Sequence, residues 1–273
     1  MTSPLIAVAE LAQRLADVTV LDVRYRMGGP GGLEEFAAGH VPGASYVDLG
    51  TALAAAPGPR GRHPLPEVGD FVAAMRAAGV SDARPVVVYD DWSGHAAARC
   101  WWLLRHHGHR DVRVLDGAWP AWRTAGLPVE EGAGTRPDPG DFTATAEPAT
   151  PVVGVDAVSG VEVLVDARAA ERYRGEVEPI DPVAGHVPGA RNVPTSLNLD
   201  AEGRFRGAEE LAAVYAAVGA VPGADVAVYC GSGVTAAHDL LALELAGVRA
   251  ALYPGSWSEW VADPARPVET GER

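Results

Sequence analysis

Short apolar runs rich in Val and Leu recur along the chain, and turn-forming residues lie near their ends. They are VTVLDV (18–23), VVVY (86–89), VEVLVD (161–166) and VAVY (226–229). Continuous apolar runs of this kind are typical of strands buried on both faces of a parallel sheet. Between them lie segments with helical periodicity, such as 69–79 and 208–219. The alternation predicts an α/β fold, in which a mostly parallel sheet carries helices on both faces.

The two halves of the chain carry the same series of segments. EFAAGHVPGASYVDL (35–49) is matched by PVAGHVPGARNVP (182–194), and VLDGAWPAW (114–122) is matched by LYPGSWSEW (252–260). Matched positions are 146, 140 and 138 residues apart, at the pairs His40 and His186, Tyr89 and Tyr229, and Trp119 and Trp257. So steady a spacing indicates two copies of one domain.

Between the copies, segment 128–151 is rich in Gly, Pro, Thr and acidic residues. This composition is typical of an extended linker. We predict a first domain over residues 1–135, a linker over 136–151 and a second domain over 152–273.

The charge of the chain restricts its partners. Lys and Arg total 22 against 36 Asp and Glu, which gives a formal net charge of −14. Nucleic acids and anionic membranes bind clustered Lys and Arg, so neither is expected as a partner. An anionic substrate would be repelled overall, and it therefore needs a local positive element to bind it.

The sequence also predicts a cytoplasmic location. No apolar run approaches the roughly 20 residues that span a bilayer. Met1–Leu15 lacks the basic start and apolar centre of a secretory signal, and Ile6, Leu11 and Leu15 predict an amphipathic helix there instead. The two cysteines, Cys100 and Cys230, form no C-x-x-C pair, and nothing else indicates an oxidising compartment.

The candidate chemistry lies where the run 226–229 ends at Cys230. Gly231 and Gly233 follow in a short loop, and a helical pattern then runs to Gly247. Glycines allow the backbone to curl so that successive amides point inward and bind an anion at the start of a helix. Such a loop favours a thiolate and could hold a persulfide. An isolated cysteine would more often be a small buried apolar residue, but its position at a strand end, before G-x-G and a helix, favours a nucleophile.

With the two G-H-V-P-G-A turns and G-S-W-S-E-W, the loop C-G-S-G-V-T resembles the tandem rhodanese-like sulfurtransferases over residues 5 to 265. The loop is similar to that of 3-mercaptopyruvate sulfurtransferases in particular. Thiosulfate-using relatives place basic residues where Gly231 and Ser232 stand. The resemblance implies transfer of sulfur from 3-mercaptopyruvate, with thiosulfate as the alternative donor, through a Cys230 persulfide. It also implies that Val234 and Thr235, with both glycines, line the substrate loop.

The resemblance further implies roles for residues outside this loop. Arg174, in RYRGEVEP, would bind the charge of the donor, and Ser232, His63 and Asp48 would handle protons. Mercaptopyruvate-type enzymes carry a second Arg after the Glu-Pro, where Ile180 or Asp181 stands here. Two arginines beside His63, Arg60 and Arg62, could supply the missing charge.

The implied reaction has two steps and uses no metal or organic cofactor. Cys230 takes sulfur from the small-molecule donor and releases pyruvate or sulfite, and a small thiol, thioredoxin or cyanide then removes the outer sulfur.

There are two alternatives to this function. Cysteine phosphatases have the pattern C-x₅-R, but Ala236 occupies the place of the Arg that would clamp a phosphoryl group. A non-catalytic binding or sensing module remains the alternative from another class. The first copy carries Asp90 in place of the cysteine, and because a carboxylate cannot accept sulfur, we predict that this copy is inactive.

A cluster of histidines invites a metal-site interpretation. His106, His107 and His109 follow a helical pattern, and Gly108 fits the end of that helix. No further Cys, His or acidic residue at ligand spacing completes a site, so we predict no metal. Cys100 lies within the same helical pattern and is expected to be a buried structural thiol.

Overall fold

The computed structural model describes residues 3–26 and 28–272. The chain divides into two compact units. The first contains the chain up to Ala55, Leu65–Thr150 and Glu202–Arg204, and the second contains Ala56–Pro64, Pro151–Ala201 and the chain from Phe205 onwards. Segment 56–64 therefore packs with the second unit, although it lies within the predicted first domain.

The first unit is built on the parallel strands β1 (Leu5–Ile6), β2 (Thr19–Asp22), β3 (Ser45–Tyr46), β4 (Val86–Tyr89) and β5 (Val112–Leu115). They pair in the order β1-β5-β4-β2-β3. The helices are α1 (Val8–Arg14), α2 (Gly32–Ala38), α3 (Leu49–Ala52), α4 (Val68–Ala77), α5 (His95–His106) and α6 (Ala118–Thr124). Every residue of β4 is buried, and since successive side chains point to opposite faces, both faces of the sheet are covered.

The second unit repeats this plan. Its parallel strands are β6 (Val163–Asp166), β7 (Arg191–Asn192), β8 (Val226–Tyr229) and β9 (Ala250–Leu252), in the order β7-β6-β8-β9. Its helices are α7 (Ala170–Tyr173), α8 (Ala208–Ala216), α9 (Ala236–Leu245) and α10 (Ser256–Trp260). All of β8 is buried, so the apolar run before Cys230 forms the centre of the sheet.

The amphipathic helix predicted over Met1–Leu15 is partly wrong. Met1 and Thr2 lie outside the described residues. Leu5 and Ile6 form β1, because the carbonyl oxygen of Pro4 accepts a hydrogen bond of 2.9 Å from the Val114 amide of β5. Pairing at the edge of the sheet therefore decides the conformation of Ile6, which is 1% exposed, and the helix begins only at Val8.

One polar arrangement recurs at the G-H-V-P-G-A turn of each unit. In the first unit, Nδ1 of His40 donates to the carbonyl oxygen of Phe36 at 2.8 Å, and the two rings stack. In the second, Nδ1 of His186 donates to the carbonyl oxygen of Tyr173 at 2.7 Å, and these rings also stack. Because both histidines hold a turn against a helix in the same way, their role in each unit is to shape the fold.

The predicted linker, 136–151, contains no helix or strand and packs along the first unit. Phe142 is fully buried, and its carbonyl oxygen accepts a hydrogen bond of 2.8 Å from the Arg76 guanidinium. The Gly140 amide donates to the carbonyl oxygen of the same arginine.

Among the described residues, none of the helices has the length and apolar composition of a membrane span.

Candidate active site

Cys230 directly follows β8, at the carboxyl end of the second sheet, and is 1% exposed. Its amide donates to Ser256 Oγ at 3.1 Å, and its carbonyl oxygen accepts from the Trp257 amide at 3.0 Å. The carbonyl oxygen of Gly231 accepts from the Ser258 amide at 2.9 Å. The start of α10 therefore holds the backbone of the cysteine and of the residue after it.

The two loop glycines are required for different reasons. Gly233 has a φ of +75°, and a Cβ on it would lie 2.3 Å from the carbonyl oxygen of Pro254. Gly231 does not have a positive φ, but a Cβ on it would lie 2.9 Å from Nη2 of Arg62 and 3.7 Å from Nη1 of Arg172. Gly233 thus allows the backbone to turn, and Gly231 leaves room beneath two guanidinium groups.

The corresponding loop of the first unit shows what its amides can bind. Asp90 is fully buried, and its carboxylate accepts four backbone hydrogen bonds of 2.8–2.9 Å. The donors are the amides of Trp92, Gly94, Ala96 and Ala97. A side-chain anion therefore fills the anion-binding loop of this unit.

In the second unit Cys230 occupies the position of Asp90, and its side chain has no carboxylate to accept hydrogen bonds from the loop amides. Ser232 and Val234 correspond to Trp92 and Gly94, since the two copies are 140 residues apart here. Within the described part of the chain, the Ser232 and Val234 amides have no hydrogen-bond acceptor. The loop beside the cysteine can therefore accept an anion from outside the chain.

His63 and Ser232 are in direct contact. Nδ1 of His63 lies 2.8 Å from Oγ of Ser232, which is 7% exposed. When this ring nitrogen carries no proton, the hydroxyl donates to it. The contact is made within the second unit, to which segment 56–64 belongs. Two of the three residues predicted to handle protons therefore form a hydrogen-bonded pair two residues from Cys230.

Asp48, the third predicted member, lies in the first unit and caps α3. Its Oδ1 accepts from the Thr51 amide and from Thr51 Oγ1, each at 2.9 Å, and Tyr46 donates to Oδ2 at 3.3 Å. Burial and the nearby Asp48 charge raise the pKa of Tyr46 to about 12. These contacts give Asp48 a structural role as an N-cap.

Arg174 forms ion pairs with two acidic residues. Its guanidinium pairs with Glu176 at 2.8 Å and with Glu272 at 3.6 Å. Arg172, two residues earlier and within α7, lies beside Gly231 instead. Arg174 is the C-cap of α7 and still has α-helical backbone angles. Residues two apart in this conformation point in nearly opposite directions, which explains why Arg172 lies beside the loop and Arg174 does not.

Arg172 is held by Glu178, to which Nη2 donates at 2.6 Å. The Glu178 side chain is 4% exposed. Burial by itself would raise the pKa of this carboxyl, but hydrogen bonds from Arg172 and from the Asp181 and Ile180 amides hold it below its usual value. Arg172 and Glu178 were not among the residues predicted from the sequence, although the pattern R-x-R signals two arginines with different environments.

Val234 and Thr235 lead into α9. Val234 is 5% exposed, and its carbonyl oxygen accepts from the Ala237 amide at 3.2 Å. The carbonyl oxygen of Thr235 accepts from the His238 amide at 3.1 Å. Both residues therefore fix the start of the helix whose first amides lie beside the loop.

The histidines at the end of α5 have protein partners. Nδ1 of His106 lies 2.8 Å from Oγ1 of Thr150, and Nε2 of His109 lies 3.1 Å from the carbonyl oxygen of Ser81. Burial, together with the neighbouring His106, lowers the pKa of His107 to about 4. The described residues contain no group of three or more His, Cys, Asp or Glu side chains that could hold a metal ion.

Cys100 differs from Cys230 in its surroundings. It lies within α5 with no exposed surface, and burial raises the pKa of its thiol. The thiolate, which is the reactive form, is therefore disfavoured at this position.

Comparison with known proteins gives matches over nearly the whole chain. The profile of the rhodanese-like domain matches residues 7–125 and again residues 155–263. A relative from Mycobacterium tuberculosis (strain ATCC 25618 / H37Rv), named as a thiosulfate sulfurtransferase, SseB, is 45% identical over 98% of this chain and 97% of its own length. The 3-mercaptopyruvate sulfurtransferase of Escherichia coli (strain K12) is 37% identical over 95% of each chain.

The fold is similar to a solved structure. The crystal structure of SseA from Escherichia coli, described as a 3-mercaptopyruvate sulfotransferase with the rhodanese fold, matches with a TM-score of 0.83 at 34% identity. The match covers 94% of this chain and all of that one.

Proposed function

This chain belongs to the rhodanese-like family of tandem sulfurtransferases, and we propose that it moves sulfur from 3-mercaptopyruvate to a thiol acceptor through a persulfide on Cys230. The family and the tandem α/β fold predicted from the sequence are confirmed by the two profile matches and by the full-length relatives. The chain is therefore an enzyme with a small-molecule sulfur donor and a sulfur acceptor.

The hydrogen bond between His63 and Ser232 is the observation that favours 3-mercaptopyruvate over thiosulfate as the sulfur donor. When 3-mercaptopyruvate loses sulfur, an enolate remains, and its carbon must take up a proton. Sulfite, which leaves from thiosulfate, needs no proton on carbon. The hydroxyl of Ser232, two residues from the nucleophile, and the imidazole of His63 can deliver this proton in the reaction of 3-mercaptopyruvate. The reaction of thiosulfate does not require such a proton transfer.

In the first step, the Cys230 thiolate attacks the sulfur of the donor, and an S–S bond forms as the C–S bond breaks. The bonding electrons pass to the methylene carbon and give the enolate of pyruvate. The proton of the donor thiol balances the reaction, because it is transferred to that carbon through Ser232 and His63. The products are pyruvate and the Cys230 persulfide anion, which the loop amides stabilise.

In the second step, an acceptor thiolate attacks the outer sulfur and releases the Cys230 thiolate. A small thiol, thioredoxin or cyanide can fill this role, since each offers a nucleophile to the persulfide. Donor and acceptor then react in turn on one enzyme, which produces ping-pong kinetics.

Thiosulfate is the second candidate donor, and a specific observation favours it. Two guanidinium groups, those of Arg62 and Arg172, lie next to Gly231, and they could hold a dianion where the loop itself has no basic residue. The relative named as a thiosulfate sulfurtransferase is also similar over nearly the whole chain.

Several further assignments are part of this proposal. We assign catalysis to the second domain, 152–273, together with the His63 segment, and no sulfur transfer to the first domain, 1–135, with 136–151 as linker. Arg172 takes the donor-binding role that the resemblance gave to Arg174. Asp48 remains a proposed member of the proton-handling set on the resemblance alone. Persulfide chemistry on reduced thiols is consistent with a cytoplasmic enzyme.

Steady-state transfer to cyanide, measured with each donor separately, tests the proposal. A higher kcat/KM with 3-mercaptopyruvate supports it, and a higher value with thiosulfate favours the second candidate. Absence of transfer from both donors would leave a binding module as the remaining function.

A further inference from the structure

Segment 56–64 makes three close contacts with the rest of the second unit. The Arg62 amide donates to Ser258 Oγ at 3.1 Å, and His63 contacts Ser232. Gly61 has a φ of +102°, and a Cβ on it would lie 2.7 Å from the carbonyl oxygen of Gly255. Gly58 and Gly61 also exchange two backbone hydrogen bonds, which close a tight turn. The backbone of Arg62 is therefore fixed beside the Cys230 loop.

The Arg62 guanidinium has one end paired with a carboxylate and one edge with an unpaired, buried nitrogen. Nη1 pairs with Asp181. Nη2 faces Gly231, at 2.9 Å from the position of a Cβ there. Among the described residues, the buried Nε atom has no hydrogen-bond partner. Nε and Nη2 form one edge of the planar group, and such an edge matches the two oxygens of a carboxylate.

Asp181 fixes the direction of this edge. Its side chain is 4% exposed, and its Oδ2 lies 3.4 Å from Nη2 of Arg172. Its amide is anchored on Glu178 at 3.1 Å. Burial raises the pKa of the Asp181 carboxyl while Arg62 opposes that rise, so the two side chains depend on each other for charge balance.

We infer that Arg62 binds the anionic group of the sulfur donor, with Asp181 as its positioning residue. Arg62 and Arg172 then form a two-arginine clamp over Gly231, and the unpaired Nε–Nη2 edge of Arg62 donates to two oxygens of the donor. Asp181 pairs with Arg62 and so holds an arginine of another segment beside the loop. The clamp suits the carboxylate of a 2-oxo acid and equally the sulfonate end of thiosulfate. This inference rests on the proposed sulfurtransferase function.

The test measures donor binding apart from turnover. In a Cys230→Ser background, calorimetry gives the Kd of 3-mercaptopyruvate, and a second series uses thiosulfate. Arg62→Gln is compared with Arg249→Gln, which removes the same charge from an exposed position of the same unit. We expect Arg62→Gln to raise the Kd of the donor that is used by about 10- to 100-fold, and Arg249→Gln to change it less than about twofold.

Two further variants separate positioning from loss of structure. Arg62→Lys keeps the charge but loses the fork, and we expect a smaller rise of about five- to tenfold. The exchange Arg62→Asp with Asp181→Arg moves the guanidinium to the other side of the pair, and binding should recover to within about threefold of the parent protein. Thermal unfolding of each variant identifies any that fail to fold.

An unchanged Kd in folded Arg62→Gln or Arg62→Lys would overturn the inference while leaving the proposed function intact. If the wild-type enzyme transfers sulfur from neither donor, the proposed function itself fails. The donor whose Kd responds to Arg62 identifies which anion the clamp holds.

Discussion

Nδ1 of His63 lies 2.8 Å from Oγ of Ser232, although the two residues are 169 positions apart in the chain. The pair stands beside the loop that begins at Cys230, and segment 56–64 that carries His63 packs with the second unit. In the proposed mechanism, this pair transfers the proton that the donor carbon takes up after sulfur transfer.

Replacing Ser232 with Ala, or His63 with Gln, should slow transfer from 3-mercaptopyruvate more than transfer from thiosulfate. We expect kcat with 3-mercaptopyruvate to fall by about 100-fold and kcat with thiosulfate to fall by less than about fivefold, since only the enolate needs a proton. The double variant should be no slower than the slower single variant by more than about threefold, because the residues act as a unit. Equal losses with both donors would show that the pair supports the loop and does not move a proton.

Arg172 and Arg174 offer a matched comparison within three residues. Arg172→Gln should raise KM for the donor by about tenfold or more, because it removes a positive charge beside Gly231. Arg174→Gln removes the same charge from a group paired with Glu176 and Glu272, and KM should stay within about twofold of wild type. The reverse order in steady-state KM values would return the donor-binding role to Arg174.

Asp239 in α9 makes stability depend on pH. It is fully buried, and its Oδ1 accepts from Asn198 at 2.7 Å, while burial raises its pKa well above the usual 3.8. Such a carboxyl stabilises the fold fully below its unfolded pKa, and this contribution is lost as pH rises towards its folded pKa. Asp239→Asn should therefore be more stable than wild type near pH 7, by about 1–3 kcal/mol.

The advantage of Asp239→Asn should shrink as pH is lowered towards 4. Urea unfolding at several pH values measures it, and Asp225→Asn, which makes the same replacement at an exposed position of the same unit, is the matched control. A constant difference between Asp239→Asn and wild type across that range would mean that the Asp239 carboxyl does not titrate differently in the folded protein.

The sequence predicted the parts of this protein that depend on local pattern. The runs 86–89 and 226–229 coincide with β4 and β8, and segment 69–79 largely coincides with α4. The nucleophile loop was also predictable, because a strand, a cysteine, two glycines and a helix follow each other directly. Continuous apolar strands and glycine turns are encoded by neighbouring residues, so one sequence suffices to find them.

The remaining parts depend on contacts between distant segments. The Arg62 segment packs against Ser258, which is 196 positions away, and no periodicity in the sequence indicates that contact. Arg172 lies on the four-residue helix α7 and Arg174 directly follows it, so the choice between them depends on how this helix packs beside Gly231. The residue type of Asp90 predicts that it cannot carry sulfur, but only the structure shows that its carboxylate accepts hydrogen bonds from four amides of its own loop.

Mass spectrometry of the protein after reaction with donor alone shows whether Cys230 carries the sulfur. The peptide containing Cys230 should gain the mass of one sulfur atom and lose it when an acceptor thiol is added. Cys100→Ala, which removes the other cysteine, should gain the same mass, and Cys230→Ser should gain none while remaining folded. Added sulfur on Cys230→Ser, or transfer to cyanide by that variant, would contradict the account.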